Sequence, residues 1–298
     1  MEKLYDIISV PMGYILNFLS GLVGNNFAAA VFLFTTLANL AMIPLTIKSQ
    51  KSSVQQMRIR PKLDEIKKRC GDDKQKYTQE MQELYQKENV SMSGGCLPLI
   101  FRMLFMMGIY YAVVNPIRYI CGVDAATIDA AMKSIEGVKI LRPIELIPYI
   151  EQGMVDTIKP EVLDNINFNF FGINLTQQPH FSLDFSKAEL IWIIPFMAFA
   201  AQMLSSIVSL KIQKIQNPDA PNMSGMMLTM PLISLFIGFG FPGALGFYWA
   251  CSAIIGGAIQ TIISLKFGPN VMIAKEQTKE VYTRFKSEQN RKKNAQID

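Results

Sequence analysis

Residues 94–113 read GGCLPLIFRMLFMMGIYYAV, an apolar run nearly unbroken except for a guanidinium at Arg102. As a helix, such a stretch rises about 30 Å, the thickness of a bilayer's hydrocarbon core. Arg102 stands six residues after Cys96, which sets its charge roughly 9 Å into that layer. A charge there costs about 2.5 to 3.5 kcal/mol on insertion scales for the helix centre, and it usually faces a polar cavity or a partner. The other reading is that the long side chain snorkels to the nearer surface.

Half of the 298 residues are apolar, and they are not spread as in soluble domains. They gather in 27–47, 96–114, 190–210, 226–241 and 244–265, each at or near spanning length, the fourth being the shortest. The expected fold class is therefore all-α, a polytopic membrane protein with five transmembrane helices.

The segments between them set the orientation. Segments 48–95, 211–225 and 264–298 together hold 21 Lys and Arg, whereas the N-terminus and 115–189 hold 7. The positive-inside rule then gives a multi-pass plasma-membrane protein with its N-terminus outside and its C-terminus cytoplasmic. With acidic residues counted, the outer parts total −5 and the inner parts +9. The inner face is the one expected to meet a polyanion or acidic lipid.

Residues 1–26 carry Ile15, Leu16, Leu19 and Leu22 on one helical face and end at Gly24 and Asn25. This predicts an outer interfacial helix, the alternative being a continuation of the first span. In 48–95, Leu63, Ile66 and Cys70 recur at helical spacing, as do Tyr77, Met81, Leu84 and Tyr85, on either side of a Gly71-Asp72-Asp73 turn. Two amphipathic helices of this kind predict an antiparallel cytoplasmic hairpin rather than a solvated spacer. The outer connection, 115–189, is less informative. It predicts a short helix through Ile128, Met132 and Ile135, another within 143–158, and a strand-like or interfacial stretch at 167–175. Residues 211–225 form a cytoplasmic loop, and 266–298 a basic, mobile cytoplasmic tail.

Depths assigned by helical rise place Asn39, Arg102, Gln202, Ser205, Ser206, Ser209, Thr229, Gln260 and Thr261 in the cytoplasmic half of the spans. Several of them facing inward together would line a wet recess open to the cytoplasm and shut outside. Ser, Thr and Gln also serve as interhelical glue worth about 0.6 kcal/mol each, which accounts for the hydroxyls but poorly for Arg102. The 18 methionines suit a surface accepting many apolar helices, and equally a core that needs gap-filling.

The single histidine, His180, stands apart from any cysteine cluster, so no metal site is expected. No cofactor is expected either, since there is no nucleotide loop. An enzyme is disfavoured by the lack of a nucleophile with a base or of paired intramembrane carboxylates. Nor does the N-terminus have the pattern of a cleaved signal.

Several runs resemble the YidC-type membrane protein insertase family across most of the chain. They are PLTIKSQ (44–50), RPKLDEIKKR, QEMQELYQKENV, GGCLPLI, FGINL and FPGALGFYW (241–249) in that order. The resemblance is to the short form, without the large periplasmic domain, and 116–166 looks like an insertion in the outer connection. It implies five core spans, an outer amphipathic helix, a cytoplasmic hairpin and a hydrophilic groove closed to the outside. The groove candidates are Arg102, Asn39, Gln202, Ser205, Ser206, Gln260, Thr229 and Trp249. The implied role is insertion and folding of nascent membrane proteins in the lipid bilayer, alone or with the Sec translocon. Ribosomes would be approached through the hairpin and basic tail.

Two departures from the family pattern form a swap. The groove arginine usually lies five residues before the proline that ends the first span, and that position here is Asn39. The usual glutamine of the GCLPxLIQMP pattern is Arg102, and the proline after it is Leu104. The expectation is one groove charge held from the second span, with Asn39 as its hydrogen-bond partner. A competing reading is a small transporter or anion channel with Arg102 as its binding site, and a third is an assembly chaperone without insertion activity.

Overall fold

The computed structural model describes residues 2–88, 90, 97–135, 137, 140–164, 166–181, 189–216 and 224–294. The side chains of 2–6, 8, 97–99, 101, 102, 104–106, 109, 276 and 290–294 lie outside that description, Arg102 among them. The fold is helical almost throughout. Among the described residues the twelve α-helices are α1 (Glu2–Leu22), α2 (Phe27–Ala41), α3 (Ile43–Cys70), α4 (Lys74–Lys87), α5 (Leu97–Val114), α6 (Pro116–Tyr119), α7 (Ala125–Ser134), α8 (Ile147–Glu151), α9 (Ile193–Gln216), α10 (Ser224–Gly238), α11 (Gly243–Phe267) and α12 (Pro269–Asn294). Among the described residues the strands are β1 (Asn169–Phe170) and β2 (Ile173–Asn174), paired antiparallel.

The chain divides into two compact units. The first comprises Met1–Met42, Leu99–Leu210 and Asn222–Ile259. Its α1 docks through Ser9, Gly13, Leu16 and Ser20, which recur every third or fourth residue and are all buried. Small residues permit close approach, and a Cβ on Gly13 would collide with Cβ of Tyr119. The opposite face, with Ile7, Tyr14, Phe18 and Leu22, is apolar and exposed. The face expected to unite Ile15, Leu16, Leu19 and Leu22 is thus divided, because packing selects the stripe of small residues instead.

The first apolar run is also divided. α2 starts at an N-cap, Asn26, whose side chain accepts from the Ala29 amide at 2.9 Å. It stops at Ala41, and α3 begins at Ile43. Pro44 supplies the reason, since its ring clashes with the carbonyl four residues back in a continuous helix, while early helical positions tolerate it.

The core of this unit is built largely from the connection between α5 and α9. Ile117, Ile128, Ile144, Leu146, Ile147, Ile150 and Leu175 are almost wholly inaccessible. They pack with Phe27 and Val31 of α2, Ile194 of α9 and Leu245 of α11. The backbone stitches the same layer together. The Phe27 amide donates to Asn167 O at 3.0 Å, and the Ala244 amide to Leu175 O at 2.7 Å.

The second unit comprises Ile43–Pro98, Lys211–Pro221 and Gln260–Asp298. Gly71, at φ 57°, turns the chain out of α3, and the Asp73 carboxylate then accepts from the amides of Gln75 and Lys76. Arg69 pairs with Glu80 and Lys62 with Glu88, so successive partners move in opposite directions along α3 and α4. Ile66 and Cys70 are buried, with Tyr77, Met81, Leu84 and Tyr85 half-buried. Within the tail, residues 269–294 are helical as α12. Proline opens it, its interior is rich in Lys, Glu and Gln, and Thr278 and Thr283 bond back to carbonyls one turn earlier.

Candidate functional site

The helices α9, α10 and α11 hold most of the expected polar residues, and glycines set how they meet. A Cβ on Gly246 would lie 2.8 Å from Ile194 Cγ2, and one on Gly257 would collide with Ser205 Oγ. Between these contacts both helices advance by eleven residues, three turns, so α9 and α11 run parallel and close. α10 runs the other way. Gly238 approaches Pro195, a Cβ there falling 3.3 Å from Pro195 Cβ, while Ser234 lies beside Gln202.

Two expected groove residues on α9 are engaged between helices. Ser205 Oγ donates to Ala253 O at 2.8 Å, and Gln202 Oε1 accepts from Ser234 Oγ at 2.9 Å. Ser206 lies half-buried beside Ser205 on the same helix. Three others bond within their own helices, namely Asn39 Nδ2 to Thr35 O at 2.8 Å, Thr229 Oγ1 to Gly225 O at 2.7 Å and Gln260 Nε2 to Ser264 Oγ at 3.1 Å. Trp249 is half-buried and meets Phe241 edge-on, with ring centroids 5.7 Å apart. Among the described side chains, no hydrogen bond joins two of the eight candidates. The expected pairing of Arg102 with Asn39 falls on a side chain outside the described residues. Among those residues, Asn39 Oδ1 is an acceptor without a donor.

Burial changes sharply along these helices. In α11 every residue from Gly243 to Tyr248 is buried, and none from Ser252 to Ile259 is. In α9, Ile194, Pro195, Ala198 and Ala201 are buried, and none from Gln202 to Leu210. α2 repeats the pattern, with nothing buried after Ala38. Asn39, Gln202, Ser205 and Ser206 therefore belong to the loosely packed end of the first unit, whereas Trp249 borders the dry one.

Sequence reading missed the contact role of Gly257 and Gly246. The Gly256-Gly257 pair inside an apolar run was the available signal, because paired small residues in a span mark close helix approach. It also missed Arg142, whose guanidinium donates to Gly240 O and Glu145 Oε1 in the outer connection.

Large apolar side chains also point outward, including Phe32, Leu37, Phe196, Leu204, Phe236 and Ile262. Among the described residues, α9 with its preceding turn and the helix starting at Gly243 are long and apolar enough to cross a membrane, and α2 with α3 adds a third as an interrupted pair. Apolar surface both inside and outside a helical bundle defines an all-α membrane protein.

Residues 18–269 match the family model described as 60Kd inner membrane protein. The chain belongs to this family, the YidC-type insertases. Similar relatives named Membrane protein insertase YidC include that of Nitratidesulfovibrio vulgaris (strain DSM 19637 / Miyazaki F), 26% identical over 257 residues, which are 86% of this chain and 38% of the relative. That of Vibrio atlanticus is 29% identical over 259 residues, 86% of this chain and 36% of the relative. That of Aliivibrio salmonicida is 40% identical over 112 residues, 37% of this chain and 20% of the relative. The chain thus spans well under half the length of these relatives.

Proposed function

We propose that the protein is a membrane protein insertase that takes polar segments of nascent membrane proteins into a cytoplasm-open hydrophilic recess and releases their apolar helices into the bilayer. In this reading five spans cross the membrane, formed by α2 with the start of α3, α5, α9, α10 and α11. α1 lies at the outer interface, and α3 with α4 forms a cytoplasmic hairpin. The N-terminus is outside and the C-terminus is cytoplasmic. The hairpin and basic α12 approach the ribosome, and insertion proceeds alone or with the Sec translocon.

One observation supports this reading above the others, namely the step in burial along α2, α9 and α11. Tight apolar packing at the end next to the α5–α9 connection suits a seal. Looser packing around Asn39, Gln202, Ser205 and Ser206 suits a recess that admits water. Hydration there lowers the cost of carrying polar groups toward the remaining apolar layer, and a guanidinium from Arg102 attracts an acidic tail. Asn39 Oδ1 is an acceptor for that guanidinium, which would keep the groove charge on α5. Cargo leaves sideways along α9 and α11.

The test is insertion into proteoliposomes of substrates with acidic and with neutral tails. Arg102→Ala is expected to slow the acidic class by about tenfold, the equivalent of 1.4 kcal/mol, with little change for the neutral class. Adding Asn39→Arg to Arg102→Ala should restore it. Full activity of Arg102→Ala on acidic tails would remove the electrostatic step, and flux of small anions without insertion would replace the whole reading by a channel.

A further inference from the structure

Within the second unit two helices end side by side, and each receives a hydrogen-bond donor from the other. The last four carbonyls of an α-helix have no partner inside it, which for α9 are those of 213–216 and for α11 those of 264–267. Gln216 Nε2, from the end of α9, donates to Ser264 O at 2.6 Å. Asn270 Nδ2, from the first turn of α12, donates to Ile215 O at 3.4 Å. The Phe267 ring that closes α11 also meets Lys51 of α3, whose Nζ lies 5.8 Å from the ring centroid.

Gly268 and Pro269 interrupt what would otherwise be one helix. Pro269 has no N–H to give to Leu265 O, and α12 takes up its own bonding with the Met272 amide on Gly268 O at 3.0 Å. Gly268 does not lie in the left-handed region, so its backbone conformation does not demand a glycine. Space demands it, because a Cβ there would collide with Gln216 Nε2 and with Ser264 O. The missing side chain is the opening through which the Gln216 amide reaches its carbonyl.

Beyond this point little holds α12. Val271, Met272 and Ile273 are half-buried, and every described side chain from Ala274 to Gln289 is exposed. About 24 Å of helix is thus aimed by contacts in its first turn, where a small change of angle becomes a large displacement at the tip.

We propose that the α11–α12 junction is a latched hinge. Closed, the two amides fix the direction of α12. With the amides withdrawn, α12 turns about Gly268 and Pro269 as a rigid arm. Asn270 also caps α9, so the two ends are linked: drawing the arm aside uncaps the last turn of α9, and loosening that turn frees the arm. The hinge concerns how α12 is aimed and depends neither on insertion activity nor on what α12 meets.

The full chain, with its four cysteines replaced by alanine, is reconstituted in nanodiscs and spin-labelled at Gln55→Cys of α3 and Ser287→Cys of α12, both exposed positions. The distance between the labels is measured by pulsed electron paramagnetic resonance. One narrow distribution is expected. Gln216→Ala with Asn270→Ala should at least about double its width, since two bonds of ordinary strength hold the closed state. Gly268→Ala, which expels the Gln216 amide, should broaden it as well. Adding Pro269→Ala to Gln216→Ala with Asn270→Ala supplies the missing N–H and should narrow the distribution again. Thr283→Ala, which removes only a bond inside α12, should leave the width unchanged. The link to α9 is read by amide exchange at 213–216, expected to rise at least about threefold in Asn270→Ala and to stay constant in Thr283→Ala. A distribution already as broad with the latch intact, a width unmoved by the paired alanines and by Gly268→Ala, or equal broadening by Thr283→Ala would overturn the assignment. So would failure of Pro269→Ala to narrow the distribution, or exchange at 213–216 indifferent to Asn270→Ala.

Discussion

Arg142 donates a hydrogen bond from its guanidinium to the carbonyl oxygen of Gly240, 3.1 Å away, and so fastens the α5–α9 connection to the turn between α10 and α11. The same guanidinium lies 4.3 Å from the Phe241 ring centroid and is held by Glu145 Oε1 at 2.8 Å. Three more bonds stitch the turn to the connection. They run from Gln178 Nε2 to Phe239 O at 3.3 Å, from the Gly243 amide to Gln177 O at 2.8 Å and from the Ala244 amide to Leu175 O at 2.7 Å. The connection therefore does more than join two helices. It satisfies the backbone groups that a tight turn at this end of the bundle leaves without partners.

Arg142→Ala should loosen that turn before it unfolds anything else. Hydrogen bonds to charged groups contribute about 1.5–3 kcal/mol, and this substitution also leaves Glu145 half-buried without its cation. Amide hydrogen exchange at 239–244 is expected to accelerate by about tenfold or more, with exchange in α4 unchanged. Arg142→Lys should fall between the two, since an ammonium cannot both fork to two acceptors and stack on the ring. Unchanged exchange in Arg142→Ala would show that the other three bonds suffice.

How much of this was legible in the sequence depended on the range of the interaction. Apolar blocks of spanning length gave the helical membrane class, because one long period-free run constrains a chain more than any short motif. Pro44 marked the end of the first helix, although its backward clash moves the break to Met42. The core of the α5–α9 connection was not legible. Ile117, Ile128, Ile144 and Ile150 come from elements of four to ten residues separated by turns, too short for any period to accumulate, and only tertiary packing unites them. For the candidate site, residue types on each helix were readable but their partners were not. Ser205 with Ala253 and Gln202 with Ser234 are pairings across helices distant in sequence, so the partner of each was beyond what one helix's pattern can show.

The contact between Ser205 and Gly257 should behave as a knob in a hole. Gly257→Ala adds a methyl group where Ser205 Oγ already sits, so it overpacks the α9–α11 contact. The expected cost is about 1–3 kcal/mol, read as a lower midpoint in detergent unfolding of the purified protein. Ser205→Gly alone should cost about 1 kcal/mol through the lost bond to Ala253. Combined, the two substitutions exchange knob and hole and should be more stable than Gly257→Ala alone. An additive double mutant would place the strain elsewhere.

Cys121, in the connection outside the spanning helices, gives a pH signature. Burial pushes its thiol up to about 11 from 9.0. Between these values an unfolded chain loses the proton and the folded one keeps it, so stability falls as pH rises through this window. About 1–2 kcal/mol should be lost between pH 9 and 11, and Cys121→Ala should remove that part of the slope. At neutral pH the folded protein should label Cys121 with maleimide several-fold more slowly than the unfolded chain, because the half-buried thiol stays protonated. Rapid labelling under those conditions would mean that the connection opens.

The docking of α1 includes one very close approach, at Gly13, which makes it testable by one methyl group. A Cβ on Gly13 would collide with the Tyr119 Cβ on α6, which neither rotamer change nor side-chain bending can move aside. Gly13→Ala must therefore shift α1 or α6 as a body. Leu16, wholly buried one turn further along the same face, reports the shift. With Cys121 and the remaining thiols replaced, Leu16→Cys should resist maleimide when Gly13 is present and react at least about tenfold faster when Gly13→Ala is added. Tyr119→Gly removes the obstructing atom and should restore protection in the Gly13→Ala background. If Leu16→Cys stays protected in Gly13→Ala alone, the approach at Gly13 is not what fixes α1, and the seat of the helix must lie in the contacts of Leu16, Leu19 and Ser20 instead.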